Sequence, residues 1–285
     1  MTEGTSIIIC SRNRANALKE CLARLPGSTF VAHGVELILI DSASEDETEA
    51  VMAAHAAQAK YAVRHLKAPR PGLGLARNLG IKAASGELLV FTDDDCYLQE
   101  DYIDQLLRHF DVERYQFCGG RILLWDQSDA RVSIDENEEF FLMPAYHFLP
   151  AGVIQGANMV VHRCVFDRVG GFDPSLGAGT QLRCEDIELL GRACMNGFSG
   201  AHLPELVVYH HHRRKPGQEA AELRLANDIA RGAYYACMSD QGFLSYWTEG
   251  IKSSLTVDPG YGQNKYQVLI NELKGAQLYF EGKSQ

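Results

Sequence analysis

The sequence predicts an α/β fold with a mainly parallel sheet, and three observations support this prediction. Short aliphatic and β-branched runs alternate with stretches of helical periodicity from Ser6 to Phe110. The 285 residues are 46% hydrophobic and 22% charged, which is typical of a globular chain that buries a sizeable core. No internal repeat or low-complexity segment interrupts the pattern. The runs should therefore build an ordinary globular assembly of strands and helices.

Four strands and four helices are predicted in the first part of the chain. The strands are Ser6–Cys10, Glu36–Ile40, Tyr61–Leu66 and Glu87–Thr92, and the helices are Ala15–Leu25, a segment that opens at Asp46, Leu75–Ala84 and Tyr102–Phe110. Asp46 and Glu47 open the second helix, where carboxylates suit the positive end of the helix dipole. Each strand is followed by a helix, which favours parallel pairing.

From Phe117 onward the alternation is less regular. A strand is predicted at Arg121–Leu124, and an acidic, aromatic excursion follows over Trp125–Phe148. A second ordered region comprises Met159–Val161, Cys164–Val169, Ile187–Cys194 and Leu206–Tyr209. Helical patterns begin at Glu219 and break at Gly260–Gly262 before a last helix near Gln263–Phe280. We therefore expect a main domain over residues 1–215 and a helical C-terminal extension over 216–285 packed on it.

Charge and cysteine content limit the class of protein. The net charge of −10 argues against a nucleic-acid partner that is bound through charge alone. The eight cysteines are scattered without a CxxC pair, which favours a reducing compartment over disulfides or a zinc site. The start of the chain lacks a signal-peptide pattern, and the longest uncharged stretch, Phe140–His162, contains prolines and glycines that do not suit a membrane span. The sequence predicts a soluble, cytoplasmic protein without a transmembrane segment.

Apolar stripes run along the helices of the extension. One stripe is Leu223, Ala226, Ala230, Ala233 and Cys237, and a looser one is Leu269, Leu273 and Leu278. Packing on the main domain is the usual reason for such stripes. A homodimer contact, or peripheral docking at the inner face of the membrane, is the alternative, although the acidic net charge disfavours anionic lipid. We expect a monomer or a homodimer.

Polar side chains follow three predicted strands at the point where each strand ends. They are Ser11 and Arg12 after the first strand, Asp41 after the second, and Asp93, Asp94 and Asp95 after the fourth. Ligands of open parallel sheets bind beyond the carboxyl ends of the strands. A solvated loop would explain each group alone, but their shared placement favours one ligand site.

The three consecutive aspartates are the sharpest feature of the sequence. Like charges held side by side resist ionising together, so a positive group is expected nearby. Alternation at the strand end predicts that Asp93 and Asp95 face one side and Asp94 the other. Two carboxylates on one side suit Mg²⁺ or Mn²⁺, which would also bridge a diphosphate. An acidic turn that caps a helix is the alternative, but three aspartates exceed what a cap requires.

Two further stretches carry charged residues towards the same edge of the sheet. Gly72–Asn78 matches a dinucleotide fingerprint only in part, and we expect it to bring Arg70 or Arg77 towards a phosphate or base, a surface position being the alternative. Glu185 and Asp186 open a predicted helix. They either complement its dipole or place a general base at a cleft.

His210 and His212 fall on one face at the end of a predicted strand. A solvated loop or a half-buried structural histidine would explain either residue alone. The acidic cluster that awaits a cation makes a metal-ligand role the favoured interpretation.

Together these stretches make the sequence resemble the inverting glycosyltransferases of family 2, which have the GT-A fold. The matching stretches are residues 6–14, 41–44, 74–96, 156–173, 185–186 and 207–213, so the resemblance covers about residues 6–214. It implies a Rossmann-like, mostly parallel mixed sheet flanked by helices. It also implies a donor half up to about residue 120 and an acceptor half over residues 121–215.

The resemblance implies roles for individual residues. Asp41 would hydrogen-bond the nucleotide base, and the other donor-binding residues would be Ser11, Arg12, Arg70, Arg77, Asp93 and Asp94. Asp95 would bind the metal, with Asp93 nearer the ribose and the waters on the metal. His210 would be the third metal ligand, with His212 as second choice. Asp186 would be the catalytic base, and Glu185 would contact the acceptor hydroxyl.

The implied activity is metal-dependent transfer of a sugar from a nucleoside-diphosphate sugar, with Mn²⁺ or Mg²⁺, to a glycan, lipid-linked or small-molecule acceptor. UDP is the expected nucleotide because Asp41 can accept from a pyrimidine imide, and dTDP and GDP are the alternatives. The QxxRW motif of processive synthases is absent from the sequence, so single additions are expected. Cys184 stands where family members commonly have glycine.

Two other functions compete with this one. A sugar-nucleotide pyrophosphorylase also joins an α/β nucleotide site to Mg²⁺, but its Gly- and Arg-rich phosphate loop is not present in residues 6–16. A catalytically silent sugar-nucleotide binder would reuse the fold, but it would not need the intact Glu185–Asp186 pair or His210.

Overall fold

A computed structural model of the protein describes residues 4–256 and 264–283. The first part of the described chain runs through β1 (Thr5–Ser11), α1 (Ala15–Ala23), α2 (Gly27–His33), β2 (Glu36–Asp41), α3 (Thr48–Gln58), β3 (Val63–Lys67), α4 (Leu73–Ala83), β4 (Leu88–Asp93), β5 (Cys96–Leu98) and α5 (Tyr102–His109). The second part runs through β6 (Phe117–Leu124), β7 (Phe141–Met143), β8 (Met159–His162), α6 (Arg163–Val169), α7 (Glu185–Met195), β9 (Gly200–His210), α8 (Gln218–Asp240), α9 (Ser245–Thr256) and α10 (Lys265–Lys283). The predicted break at Gly260–Gly262 lies outside the described residues.

The described strands form one mixed sheet. Its order is β3-β2-β1-β4-β8-β6-β9-β5, and β7 pairs with the other end of β9. The first four strands in this order are parallel, β8 is antiparallel to both of its neighbours, and β6 is parallel to β9. The mixed sheet flanked by helices confirms the predicted fold class. Parallel pairing is concentrated in the half that carries the regular strand–helix alternation.

Alternating side chains of the buried strands fill two hydrophobic layers, one on each face of the sheet. In β1, Ile7 and Ile9 pack with Leu18 of α1 on one face, and Ile8 packs with Ala76 of α4 on the other. Successive side chains of a strand point to opposite faces, so a continuous apolar run supplies both layers. The two layers fix the strand ends, and therefore the loops that follow them.

The predicted strands and helices of the first part are observed within a few residues, and three short elements were missed. The missed elements are α2, β5 and β7. The last two have three residues each and pair with β9, so a distant strand rather than their own sequence defines them. The strand predicted at Leu206–Tyr209 extends over all of β9, since its earlier half pairs with β6 and β7.

Helix α8 packs against α7, and α9 and α10 pack against α8 in an apolar cluster that includes Tyr234 of α8. Helices α8 and α10 meet backbone to backbone. A Cβ atom at Gly232 would overlap the Glu272 carbonyl group, and one at Gly275 would overlap the Ile229 carbonyl group. The division of the chain into domains at residue 215 stays a prediction. Among the described residues, every helix is too short or too polar to cross a bilayer.

Candidate active site

The strand-end pocket is a cavity of about 440 Å³ beyond the carboxyl ends of β1 and β4. Its lining residues include Ser11, Arg12, Asn13, Arg14, Ser42, Arg77, Asp93, Asp94, Asp95, Gln155, Gly156, Glu185, Asp186, His210 and Arg214. Residues from seven separate stretches of the chain therefore meet at one place. The parallel arrangement of β1 and β4 brings the two loops that follow them together.

Arg14 holds two of the three consecutive carboxylates. Its Nε lies 3.3 Å from Asp94 Oδ1, and its Nη2 lies 2.5 Å from Asp95 Oδ2. The Ser11 hydroxyl donates a 2.5 Å hydrogen bond to Asp94 Oδ2. Burial raises the pKa of Asp94 to about 7, although Arg14 opposes this. Burial would also raise the pKa of Asp95, but His210 and Arg14 outweigh it and hold that pKa well below its usual range.

The predicted alternation of the three aspartates is wrong beyond Asp93. Strand β4 ends at Asp93, and Asp94 and Asp95 form the turn that leads into β5. A turn does not alternate its side chains, so one guanidinium, that of Arg14, reaches both Asp94 and Asp95. The Asp93 side chain is 37% exposed and lies towards Arg77 instead, with 3.6 Å between Asp93 Oδ1 and Arg77 Nη2.

Arg77 joins three separate stretches of the site. Its Nη1 donates to Glu185 Oε1 at 2.9 Å, and its Nη2 donates to the Gly156 carbonyl at 3.4 Å, besides facing Asp93. The guanidinium lies so close to Gly156 that a Cβ atom there would overlap it. The side chain is 4% exposed. Arg77 is thus a buried counter-ion that ties the end of β4 to the start of α7.

Helix α7 begins with the two acidic residues that the sequence singled out. Burial and the neighbouring Asp186 raise the pKa of Glu185 to about 7, although Arg77 opposes them. Asp186 is half-buried, and its Oδ2 accepts a 2.8 Å hydrogen bond from the Gly156 N–H. Its Oδ1 accepts a bond of the same length from the Ile187 N–H. The two backbone donors fix the orientation of the Asp186 carboxylate.

A second cavity, the helix-side pocket, has a volume of about 290 Å³. Its lining residues are Ser133, Ile134, Ala151, Gly152, Gln155, Arg183, Asp186, Ile187, Asn227, Ala230 and Arg231. Ser133, Gln155 and Asp186 also line the strand-end pocket. The Asp186 carboxylate therefore stands at the boundary between the two pockets.

Asp95, Cys96 and His210 form a group whose potential metal-ligand atoms lie within 4.8 Å of one another. Asp95 Oδ1 and His210 Nε2 are 3.4 Å apart. A carboxylate with an imidazole suits Mn²⁺, and the partly exposed Asp93 adds an oxygen in the same pocket. Burial raises the pKa of the Cys96 thiol well above its usual range, and soft sulfur suits Mn²⁺ or Mg²⁺ less well than oxygen does. The carboxylates and the imidazole fit a divalent cation.

His212 does not have a nitrogen available for a metal, so its placement as second-choice ligand is wrong. Its Nδ1 accepts a 3.0 Å hydrogen bond from the Arg214 N–H, and its Nε2 donates at 2.9 Å to the Ala130 carbonyl. The tautomer follows from these two backbone partners. His212 therefore holds the loop around Ala130 in place.

Asp41 and Arg70 do not line either pocket. Asp41 is 1% exposed, and its Oδ1 accepts a 2.8 Å hydrogen bond from the Ser44 N–H. Its neighbour Ser42 lines the strand-end pocket in its place. Arg70 is exposed to solvent. Of the predicted donor-binding residues, the pocket gathers Ser11, Arg12, Arg77, Asp93 and Asp94.

Several lining residues were not predicted. Arg14 ends the first matching stretch and Arg214 directly follows the last, but nothing in the residue pattern favours Arg14 over Arg12. Asn227 and Arg231 come from the extension, where we found no motif. The one sequence signal near Asn227 and Arg231 was the apolar stripe of α8, which indicates that one face of this helix is buried.

The sequence model of the family described as Glycosyl transferase family 2 matches residues 6–170. The pre-mycofactocin glycosyltransferase of Mycobacterium tuberculosis (strain CDC 1551 / Oshkosh) is 25% identical over 238 residues, which cover 81% of this chain and 45% of the relative. The matched parts span 30%, 62% and 45% of the lengths of three curated relatives, so the chain corresponds to only part of these proteins.

Solved structures with the same fold include two that contain a sugar nucleotide. The mannosyltransferase PcManGT from Pyrobaculum calidifontis, in complex with GDP-Man and Mn²⁺, has a TM-score of 0.62 and 16% identity, covering 98% of this chain and 81% of that one. The TarS protein of S. aureus, in complex with UDP-GlcNAc, has a TM-score of 0.60 and 16% identity, covering 96% and 81%. These likenesses confirm the predicted GT-A fold.

Proposed function

The chain belongs to glycosyl transferase family 2, and on this premise we propose that it moves a sugar from a nucleoside-diphosphate sugar to an acceptor hydroxyl. The proposed transfer inverts the anomeric carbon and adds one sugar per encounter. The acceptor is a glycan, a lipid-linked molecule or a small molecule. The observation that carries the proposal is the position of Asp186 between a pocket rich in carboxylates and arginines and a second, polar pocket.

The strand-end pocket suits the diphosphate of the donor. Besides Arg14 and Arg77, it is lined by Arg12 and Arg214, whose guanidinium groups have no ion-pair partner within residues 4–256 and 264–283. Guanidinium groups bind phosphate oxygens through paired hydrogen bonds. They would stabilise the negative charge that builds on the departing nucleoside diphosphate.

Asp95 and His210 are the residues that would hold Mn²⁺ or Mg²⁺, with Asp93 beside them. A bound cation would neutralise diphosphate charge and assist departure of the leaving group. Two arginine side chains hold the carboxylates of the pocket in position. Arg77 keeps Asp93 and Glu185 in place, and Arg14 does the same for Asp94 and Asp95.

Asp186 is the proposed general base. The acceptor hydroxyl would enter from the helix-side pocket and give its proton to the Asp186 carboxylate as its oxygen attacks the anomeric carbon. Each carboxylate oxygen accepts one backbone N–H and keeps a second lone pair for this proton. The new bond to the acceptor oxygen forms opposite the breaking bond to the diphosphate. A single displacement of this kind inverts the configuration, so an α-linked donor gives a β-linked product.

UDP is the proposed nucleotide, and Asp41 supports it. Asp41 Oδ2 is buried and lacks a hydrogen bond within the described residues, although Lys67 Nζ lies 3.5 Å away. Asp41 lines neither pocket, but it lies at the end of β2 beside the pocket residue Ser42, and its acceptor oxygen suits the imide N–H of uracil. PcManGT contains GDP-Man and TarS contains UDP-GlcNAc, so this fold takes either base.

Calorimetric titration of UDP, dTDP and GDP, each with Mn²⁺ and again with EDTA, tests the proposal. We expect UDP to bind with Mn²⁺ and to lose most of its affinity with EDTA. His210→Ala should lose the metal dependence, whereas the control His211→Ala should keep it, because His211 contacts Tyr97 outside both pockets. Failure of all three nucleotides to bind would overturn the proposal.

Product analysis separates the two rival functions. A pyrophosphorylase would release pyrophosphate from a nucleoside triphosphate, whereas a transferase would release a nucleoside diphosphate. A silent binder would bind a UDP-sugar without hydrolysing it. We expect slow hydrolysis of the correct donor in the absence of an acceptor.

A further inference from the structure

Two arginines line the helix-side pocket, and a position beside the general base does not by itself require them. We propose that this pocket is an acceptor subsite that recognises an acidic group, a carboxylate or a phosphate, on the molecule whose hydroxyl receives the sugar. This inference rests on the proposed function, since it assigns a substrate class to the second pocket of the same site. It is carried by two arginines and one carboxylate among the lining residues.

The size of the pocket limits what can occupy it. Its volume of about 290 Å³ lies at the lower end of small-molecule pockets, which span roughly 300–1,000 Å³. It therefore takes one sugar-sized group rather than several. Since Asp186 lines both pockets, a group held here has a hydroxyl within reach of the general base.

Arg183 is the first of the two cationic residues. It is exposed, lies two residues before α7, and its guanidinium has no hydrogen-bond or ion-pair partner within the described part of the chain. The chain as a whole carries a net charge of −10. Asp186 is the one carboxylate among the lining residues of this pocket. An unpaired guanidinium in a pocket lined by one carboxylate is suited to bind an anionic group of the ligand.

Arg231 is the second cationic residue, and its position is fixed. Its Nε donates to Glu272 Oε1 at 2.5 Å, and its Nη2 donates to Asp228 Oδ1 at 2.8 Å. Glu272 Oε1 also accepts a 2.6 Å hydrogen bond from the Ser254 hydroxyl. Three helices of the extension therefore orient this guanidinium. Its Nη1 takes no part in these bonds, and a preorganised donor of this kind lowers the entropy that binding would cost.

The charges also set the direction in which an acceptor lies. An acidic group is attracted to the unpaired Arg183 and repelled by the Asp186 carboxylate. Asp228 and Glu272 compensate the charge of Arg231, which would contribute a hydrogen bond from its Nη1. The acidic group would lie away from the base, leaving a hydroxyl at the other end of the molecule to face Asp186. Asn227 and Gln155 line the same pocket and supply amide groups that suit the remaining hydroxyls.

Two matched pairs of probes test the inference on the full chain with UDP and Mg²⁺. The pairs are methyl β-D-glucuronide with methyl β-D-glucoside, and glycerol 3-phosphate with glycerol. Affinities are measured by ligand-observed NMR titration, with and without UDP. We expect at least one acidic probe to bind about tenfold more tightly than its neutral counterpart, as a charge-assisted hydrogen bond would give.

Variants assign that preference to the pocket. Arg183→Gln should reduce the preference to within about twofold, and Arg183→Lys should keep part of it, since the lysine keeps the charge without the paired donors. Asn227→Ala should weaken acidic and neutral probes alike. Arg168→Gln is the matched control, because Arg168 is an exposed arginine that lines neither pocket. Thermal unfolding checks that each variant is folded.

The outcomes separate this inference from the proposed function. Equal affinity for acidic and neutral probes in a protein that binds UDP would overturn the acidic subsite and leave the transferase proposal standing. A preference that survives Arg183→Gln would overturn it as well. Failure to bind any nucleotide would overturn the proposed function, whereas the probe titration without UDP would still report on the pocket.

Discussion

The strand-end pocket and the helix-side pocket share the Asp186 carboxylate but differ in how their charges are balanced. In the strand-end pocket, most charged groups already have partners: Arg14 faces Asp94 and Asp95, and Arg77 faces Asp93 and Glu185. In the helix-side pocket, the Arg183 guanidinium has none within the described residues. The buried charges of the first pocket are paired before any substrate arrives, and Arg12 and Arg214 are its unpaired arginines within the described part of the chain. The second depends on a ligand to complete it.

This difference follows from burial. Charges that are removed from water cost free energy unless they are paired, and the arginine–carboxylate pairs of the strand-end pocket meet that requirement. Arg183 is exposed, so water can solvate it until a ligand binds. A substitution should therefore cost stability on the donor side and specificity on the acceptor side. The following predictions test that contrast, from the largest expected effect to the smallest.

Asp186→Asn tests the residue that both pockets share. We expect the transfer rate to fall by about a thousandfold or more, because an amide cannot take the proton that a general base removes. UDP affinity should stay within about twofold, since asparagine has the size of aspartate and its carbonyl keeps one of the two backbone hydrogen bonds. Initial rates and calorimetry measure the two quantities, with the exposed Asp167→Asn as control. Loss of UDP binding in Asp186→Asn would contradict its role as base.

Arg77→Gln tests the cost of opening the donor network. The free energy of unfolding should fall by about 3 kcal/mol, because Glu185 and Asp93 lose their buried counter-ion. The double variant Arg77→Gln/Glu185→Gln should recover part of this loss. Urea denaturation provides the measurement. Arg64→Gln, which removes an ion pair from a 55% exposed arginine, should cost about 0.5 kcal/mol or less. Equal losses for the two arginines would contradict the contrast.

Arg14→Gln tests the cation that now faces the aspartates. Removing one positive charge at this distance is worth about 1 kcal/mol in water, so Mn²⁺ affinity without nucleotide should rise about fivefold. Mn²⁺ titration followed by electron paramagnetic resonance measures it. Arg24→Gln, outside both pockets, is the control. Weaker Mn²⁺ binding would contradict this prediction and mean that the positioning of Asp94 and Asp95 by Arg14 matters more than its repulsion of the cation.

His202→Gln tests how the stability of the segment beside the helix-side pocket depends on pH. His202 Nδ1 donates to the Glu139 carbonyl at 2.9 Å, and Nε2 lies 3.5 Å from Asp135, which follows the lining residues Ser133 and Ile134. Burial acts to lower the pKa of His202, but the nearby Asp135 carboxylate and the hydrogen bond to the Glu139 carbonyl outweigh it and raise that pKa. The protonated form therefore stabilises the fold.

The stabilisation is complete below the unfolded pKa of about 6.5 and is lost as the pH rises through the folded value. The variant should lower Tm by about 2 °C more at pH 5.5 than at pH 8.5. Differential scanning calorimetry provides the measurement, and the exposed His65→Gln should show no such difference. A larger loss at pH 8.5 would reverse the sign and exclude the ion pair.

The sequence pattern was sufficient to predict where the strands end, but not how the loops that follow them are arranged. Continuous apolar runs identify β1, β2 and β4, and the position of Ser11 or Asp93 follows from the last residue of each run. Arg14 could not be chosen over Arg12 because the chain turns at Asn13, whose φ is 54°. Asn13 is held by Ser44 and Glu45 from another loop, and the Arg14 N–H donates to Thr48, so contacts distant in sequence bring Arg14 to the carboxylates.

His212 shows the opposite failure, in which a local pattern was sound and a distant segment decided the outcome. Alternation does place His210 and His212 near each other, with ring centroids 5.0 Å apart. Ala130, 82 residues earlier in the chain, accepts from one nitrogen of His212. The lining residues of α8 escaped prediction for the same reason, since only tertiary packing places Asn227 and Arg231 opposite α7.

The backbone contact between α8 and α10 has a consequence for how this chain can change over evolution. Gly232 lies one residue after Arg231, and neither Gly232 nor its partner Gly275 has space for a side chain. The main chain, rather than neighbouring side chains, therefore sets the distance between the two helices. Descendant sequences can exchange pocket residues such as Asn227, and with them the proposed contacts to the acceptor, while inheriting an unchanged scaffold. The two glycines fix the packing of the two helices, whereas the side chains of the pocket are free to change.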